Sequence, residues 1–356
     1  MKYKITNNLK FLTSIVTIFL VLFTGCYQSD NTLPVAQSSV SQARIAASAF
    51  ALGADVSWIT EQEAAGKLFY NSAGVATEGM ALLKQLGSNT IRLRVWVNPA
   101  NSFNAVADVI TKAKRAKNLG MRIMIDFHYS DTWADPTWQA KPAAWANLSF
   151  TKLKTAVTSH TKSVLTQLKA AGITPEWVQV GNETSDGMLW PTGRATTNMA
   201  NFAALITTGY NAVKAVFPYA KVIVHLNNGH ENNMYRWMFD GLKANNAKYD
   251  VIGMSLYPSY ASYNWTTVNN NCVINMNDMI SRYGKEVMIV EVGMPWDNPD
   301  CFAFLTDLIA KCKAIPNAKS LGVLYWEPQC YANWQGYSLG AFDSSGKPTR
   351  ALDAFR

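Results

Sequence analysis

The chain has 356 residues, 32 Lys and Arg against 24 Asp and Glu, and a formal net charge of +8. Glycines, aromatics and acids interrupt the basic residues, so no stripe follows a nucleic-acid backbone and no nucleic-acid partner is expected. The four histidines are scattered and no Cys/His spacing matches a zinc site, so neither a metal nor a cofactor is expected.

Lys2, Lys4 and Lys10 precede an apolar stretch from Phe11 to Thr24. It is too short to span a bilayer comfortably and has the order of a cleaved export signal, residues 1–25. Its end, Phe23-Thr24-Gly25-Cys26, resembles a bacterial lipobox, which implies a lipid on Cys26 and an N-terminal membrane anchor. Residues 26–50 continue as a tether rich in Ser, Gln, Ala and Asn without an apolar period. The expected location is outside the cytoplasm, anchored at a bacterial outer membrane. Residues 51–356 show no further linker and are long enough for one large core.

Through this body, apolar β-rich runs alternate with stretches whose apolar residues recur every three or four positions. Strands are expected at Leu52–Trp58, Thr90–Trp96, Arg122–Tyr129, Trp177–Glu183, Lys221–Leu226, Val251–Tyr257, Glu286–Gly293 and Leu321–Glu327. Helical patterns between them are clearest at Ala105–Leu119, Phe150–Ala171, Asn201–Val216 and Phe302–Lys313. Eight strands with intervening helices predict an α/β fold, a (β/α)8 TIM barrel forming a single catalytic domain. A doubly wound open sheet is the alternative, but no Gly-rich phosphate loop follows an early strand.

An exported body permits disulfides. Cys301 and Cys330 follow consecutive strands, and a bond between them is expected. Pairing of Cys272 with Cys312, on neighbouring helices, stays open.

In such a barrel the functional side chains lie at the C-terminal strand ends. Arg92 and Arg94 end the second strand, and Asp126, His128 and Asp131 the third. Asn182 and Glu183 end the fourth, Tyr257 the sixth, Glu291 the seventh, and Trp326 with Glu327 the eighth. Glu183 and Glu291 each close an apolar run, where a carboxylate is costly to desolvate unless it is paired or used. Two carboxyl groups meeting on one rim are what cleavage of a glycosidic bond requires.

The run Ile125-Asp126-Phe127-His128-Tyr129-Ser130-Asp131-Thr132-Trp133-Ala134-Asp135-Pro136 is long and specific. With Gly53-Ala54-Asp55, Asn89 to Pro99, Val180-Gly181-Asn182-Glu183, Leu189 to Arg194, Ser255-Leu256-Tyr257-Pro258, Val290-Glu291 and Tyr325-Trp326-Glu327-Pro328, it resembles glycoside hydrolase family 53, the endo-β-1,4-galactanases. These segments run in the family's order from about residue 52 to the end. The resemblance implies a (β/α)8 barrel, a retaining mechanism, Glu183 as acid/base and Glu291 as nucleophile. Some bacterial members carry a calcium-binding insertion after the seventh strand. Pro295 to Asp300 is short and lacks an evident calcium loop, so no metal is carried over.

Among the neighbouring residues, Arg92 is expected to hold Glu291 ionised and oriented. Asn182 is expected to donate to the sugar 2-hydroxyl, Tyr257 to bond the nucleophile, and Trp326 to floor the reacting sugar. Asp126 and His128 either contact sugar hydroxyls or brace Glu183. Asp131, Trp133, Trp138 and Trp190 are expected along the cleft, since flat aromatic faces pack on sugar rings. Glu327, a third acid at a strand end, suits a structural or binding role. The substrate implied is β-1,4-galactan, cut by a monomer. Another retaining endoglycanase, acting on mannan or xylan, is the nearest alternative, and a catalytically dead glycan-binding lipoprotein the more distant one.

Overall fold

A computed structural model describes residues 50–356, so the export segment, Cys26 and most of the tether lie outside the described residues. All eight expected strands form: β1 (Ala51–Asp55), β2 (Thr90–Val95), β3 (Arg122–Phe127), β4 (Trp177–Val180), β5 (Lys221–Leu226), β6 (Val251–Leu256), β7 (Glu286–Val292) and β8 (Ser320–Trp326). Each pairs in parallel with its neighbours and β1 pairs with β8, closing a barrel.

The strands are joined by α1 (Gly79–Gln85), α2 (Val106–Asn118), α3 (Phe150–Ala170), α4 (Ala195–Val216), α5 (Asn232–Ala244), α6 (Trp265–Tyr283) and α7 (Cys301–Lys313). Local chemistry places several of their starts. The side chains of Glu78, Ser149 and Asn264 accept hydrogen bonds from backbone N–H groups in the first turns of α1, α3 and α6. Asn201, where a helix was expected to begin, lies inside α4, which starts six residues earlier behind a short hairpin (Gly187–Met188 with Gly193–Arg194).

Alternation along the strands divides the side chains into two layers. Ile91, Leu93, Ile123, Ile125, Val178, Val222 and Val224 face outward into the helix layer. Met124, Trp177, Ile223, Val251, Met288 and Leu324 face inward and fill the lower barrel with an apolar plug. Above that plug the inward positions become polar: Arg92, Arg94, Asp126, Gln179, His225 and Ser255 are all buried. The barrel is apolar below and ionic above, and the ionic layer supports the site.

The regular register breaks near the start of β8 and again high on β7. Met254 pairs with Ile289, but Ser255 pairs with Glu291, so Val290 is an extra residue in β7. This bulge turns Glu291 inward.

Candidate active site

The rim residues gather around Glu183 and Glu291. Glu183 follows β4 through a turn in which Gly181 adopts φ +82° and Glu183 itself φ +44°. A Cβ on Gly181 would meet Thr184 Cγ2 at 2.6 Å, so only glycine fits that turn. The Glu183 backbone N–H donates to His225 Nδ1 at 3.3 Å. A carboxyl oxygen of Glu183, one of Glu291 and a ring nitrogen of His225 lie within 4.8 Å of one another.

Glu291 is held from two sides. Arg92 Nη2 stands 2.9 Å from Oε1, and the Tyr257 hydroxyl donates to Oε2 at 2.9 Å. Ser255 Oγ is 3.5 Å from the same oxygen. Since His225 Nδ1 accepts from Glu183, its Nε2–H donates to Ser255 Oγ at 2.7 Å. Burial and the Arg92 cation hold His225 well below its usual pKa, so the ring is neutral. Glu183, Glu291 and His225 are close enough to share a cation, but both ring nitrogens of His225 are already engaged.

Burial raises both carboxyls, Glu183 to about 7 and Glu291 to about 8, and the charge of Glu183 adds to the rise at Glu291. Two carboxyls this close lose their protons in two steps that belong to the pair. The order of those two values runs against the contacts, and the contacts decide. The Arg92 cation and the Tyr257 hydroxyl both touch Glu291, so the first negative charge settles there and the proton stays on Glu183.

A hollow of about 290 Å³ opens over the pair, with His128, Trp133, Asn182, Tyr257, Tyr260 and Trp326 on its walls. A second, of about 560 Å³, shares the walls Trp133, Trp326 and Tyr337 and extends past Trp58, Trp96 and Asp131. Together they make an elongated cleft lined by indole rings. Behind it the Arg94 guanidinium lies 4.4 Å from the Trp133 ring and 5.0 Å from that of Trp58. Glu327 is fully buried and anchors that guanidinium at 2.7 Å while accepting the Trp58 N–H at 3.0 Å. Its place is structural, and burial raises its pKa to about 7.

Asn182 is oriented by its neighbours: its Oδ1 accepts from Arg92 at 2.9 Å and its Nδ2 donates to Ala134 O at 2.8 Å. The second amide N–H remains at the cavity wall. Several expected substrate contacts are placed differently. Arg92 and Asp126 lie behind the wall, each almost wholly buried. Arg92 binds Asp55, Asp126 and Glu291, and Asp126 accepts from Arg92, His128 Nε2 and Gln179. Both brace the carboxylates from positions that line neither hollow. His128 shows its ring to the cavity, but its Nδ1 accepts from Trp96 Nε1 and the Ala134 N–H while Nε2 faces Asp126. Trp190 lies outside both hollows, its Nε1 bonded to Asp186 O and its ring covered by Arg194. Trp138 is exposed beside neither hollow.

The expected Cys301–Cys330 bond is absent: all four described cysteines are free and buried. Cys301 Sγ faces Met294 O at 3.8 Å and Cys330 Sγ accepts from Gln62 Nε2 at 3.4 Å, so the two thiols are engaged elsewhere. Sequence reasoning missed His225, Ser255, Gln179 and Tyr337. The first three are inward positions on otherwise apolar strands, a signal that alternation contains.

A family model for glycosyl hydrolase family 53 matches residues 51–355. An arabinogalactan endo-beta-1,4-galactanase of Thermothelomyces thermophilus is 33% identical over 330 residues, covering 85% of this chain and 98% of that one. One from Cellvibrio japonicus is 32% identical over 347 residues, covering 86% and 89%. Among solved structures, a fungal beta-1,4-galactanase superimposes with a TM-score of 0.79 at 32% identity, covering 86% of this chain and 99% of that one. The family 53 catalytic domain of Ignisphaera aggregans gives 0.77 at 30% identity, covering 87% and 96%. With its closed barrel, two strand-end glutamates and a family match across the whole described body, the chain belongs to glycosyl hydrolase family 53.

Proposed function

We propose that this chain is a retaining endo-β-1,4-galactanase that cuts the (arabino)galactan side chains of pectin. One observation carries the mechanism: Glu183 and Glu291 bring carboxyl oxygens within 4.8 Å of each other. Retention needs carboxyls about 5–5.5 Å apart, and inversion leaves about 6.5–9.5 Å for a water.

Glu291, ionised against Arg92, attacks the anomeric carbon as the glycosidic C–O bond breaks. Glu183 gives its proton to the departing oxygen. The new ester removes the charge of Glu291, which lowers the proton affinity of Glu183. Glu183 then takes a proton from water, whose oxygen attacks the anomeric carbon and releases Glu291 as a carboxylate. Asn182 offers its remaining N–H to the 2-hydroxyl, and Trp326 lies under the sugar. The indole-lined cleft supports binding within a chain.

Galactan as the substrate rests on the family and on the galactanase relatives. The test is reducing-sugar release from galactan, mannan and xylan, with NMR of the first anomer formed. Release from galactan of shortened chains with β configuration is expected, and no release from galactan overturns the reading. The order of residues 1–26 supports export, a lipid on Cys26 and attachment at an outer membrane as part of this reading. Incorporation of labelled palmitate, abolished by Cys26→Ser, checks that separately.

A further inference from the structure

Apart from the short helix Ile59–Ala64, which has no basic residue in its last turn, the helices run antiparallel to the strands, and α1–α7 all end on the face opposite the cleft. Each carries Lys or Arg in its last turn, with Lys84, Lys117, Lys169, Lys243 and Lys313 exposed there. Acids on this face are taken up as well: Glu176 by Arg122, Asp250 by Lys214, Glu286 by Lys221 and Asp240 by Arg282. Compensation of helix dipoles accounts for basic residues in last turns. It does not account for Lys248, exposed in the loop beyond α5, or for Tyr219. Tyr219 sits in the loop before β5 and is 96% exposed, with its apolar ring committed to nothing in the fold. Tyrosine is favoured at the level of lipid headgroups, where one end of the ring is dry and the other wet.

Between the ends of α5 and α6, Lys243 lines a hollow of about 340 Å³ beside Arg282, which is paired with Asp240, and Lys285, which donates to Tyr249 O. The segment preceding β1 joins the barrel on this same face, where Lys313 Nζ lies 5.7 Å from the Phe50 ring. The opposite rim carries Asp131, Asp135 and Asp297 beside the cleft and its neighbouring hollow.

We propose that the basic face is a docking surface for a bilayer bearing anionic phospholipids, with Tyr219 entering the headgroup layer. The acidic rim then points the cleft away from the membrane toward polymer in solution. Only the nearness of a membrane rests on the lipid-anchor reading. The juxtaposition of lysines, an exposed tyrosine and the chain entry stands apart from it.

The test measures cosedimentation of the full chain with vesicles of phosphatidylcholine alone or mixed with phosphatidylglycerol. Cys26→Ser is present throughout to exclude a lipid, so every protein keeps the same N-terminal segment. A charge-reversed form carries Lys117→Glu, Lys169→Glu, Lys243→Glu and Lys248→Glu. The parent should bind anionic vesicles about tenfold or more tighter than this form, and the difference should vanish between about 50 mM and about 500 mM salt. Tyr219→Ser should weaken binding to the same vesicles at both salt concentrations. Equal binding by parent and charge-reversed form overturns the proposal. So does retention by polygalacturonate without preference for anionic vesicles, which assigns the face to an acidic polysaccharide. Hydrolysis of soluble galactan should be unchanged in both variants, and failure of that activity in the parent would sink the enzymatic reading, not the docking one.

Discussion

Val290 and Glu291 are consecutive residues of one β-strand, yet both side chains point into the barrel. Val290 packs in the apolar plug with Ile223 and Met288, while Glu291 pairs with the inward-facing Ser255 one level higher. The bulge resets the parity of the strand, and Val292 returns to the helix layer. Deleting Val290 should restore plain alternation while Glu291, then two positions after Met288, still faces inward opposite Ser255. The deletion empties the place of Val290 in the plug and should lower Tm, yet the folded variant should keep measurable galactan hydrolysis. Val290→Ala keeps the residue count and should remain within about tenfold of the parent. A folded deletion variant without activity refutes this account, because the aim of Glu291 then depends on the bulge itself.

The division of labour between the two glutamates has a chemical signature. In Glu291→Ala the vacated side of the sugar admits azide, which attacks opposite the leaving group and yields an α-galactosyl azide. In Glu183→Ala the covalent intermediate still forms from a substrate with an activated leaving group, and azide replaces water to give the β-azide. Each substitution alone should cost roughly three orders of magnitude or more on galactan. Product configurations measured by NMR in the reverse sense would exchange the roles.

Most of the fold is legible in the sequence because the barrel is repetitive: buried parallel strands are continuous apolar runs, and each is recovered within a few residues. Glu183 and Glu291 are legible as charges closing such runs. What is hidden depends on other parts of the chain. Asp126 and His128 sit on the same side of β3, but only the loop bringing Trp133 and Ala134 across decides that one is covered and the other faces the cavity. Trp190 is turned away by the hairpin that also places Asp186 and Arg194 around it. The Val290 bulge has no local signature, since it shows only when β7 is set against its neighbours β6 and β8. Cys301 and Cys330 follow adjacent strands, but adjacency of strands does not aim two thiols at one another.

The Tyr257 hydroxyl, 2.9 Å from Glu291, stabilises the carboxylate form of the nucleophile. Tyr257→Phe removes that donor and should raise the pKa of Glu291 further. The rate requires Glu291 ionised and Glu183 protonated, so the pH profile is a bell. Its acid limb belongs to loss of the nucleophile's charge, and its alkaline limb, at the higher of the pair's two steps, to loss of the Glu183 proton. In Tyr257→Phe the acid limb should move to higher pH, narrowing the bell, with kcat down about 10- to 100-fold. An acid limb that stays in place separates the hydroxyl from the nucleophile's ionisation.

The same charges that serve the reaction work against the fold. Glu183, Glu291 and Glu327 all have folded pKa values raised above that of a free glutamate, because each is desolvated. A folded state that binds its protons more tightly than the unfolded chain gains stability below the unfolded pKa, near about 4.5, and loses it as pH rises through the folded values. Those values are about 7 for Glu183 and Glu327 and about 8 for Glu291, so stability should decline between about pH 5 and about pH 8. Glu183→Gln keeps the shape and removes one titration. It should raise Tm at about pH 8 by roughly 2–5 °C and leave Tm near pH 5 almost unchanged. The gain belongs to Glu183 in particular, since Glu291 and Glu327 each lose an arginine's partner when neutralised. Calorimetry at the two pH values decides: a Glu183→Gln variant no more stable than the parent at the higher pH means that this carboxylate is not strained in the folded protein.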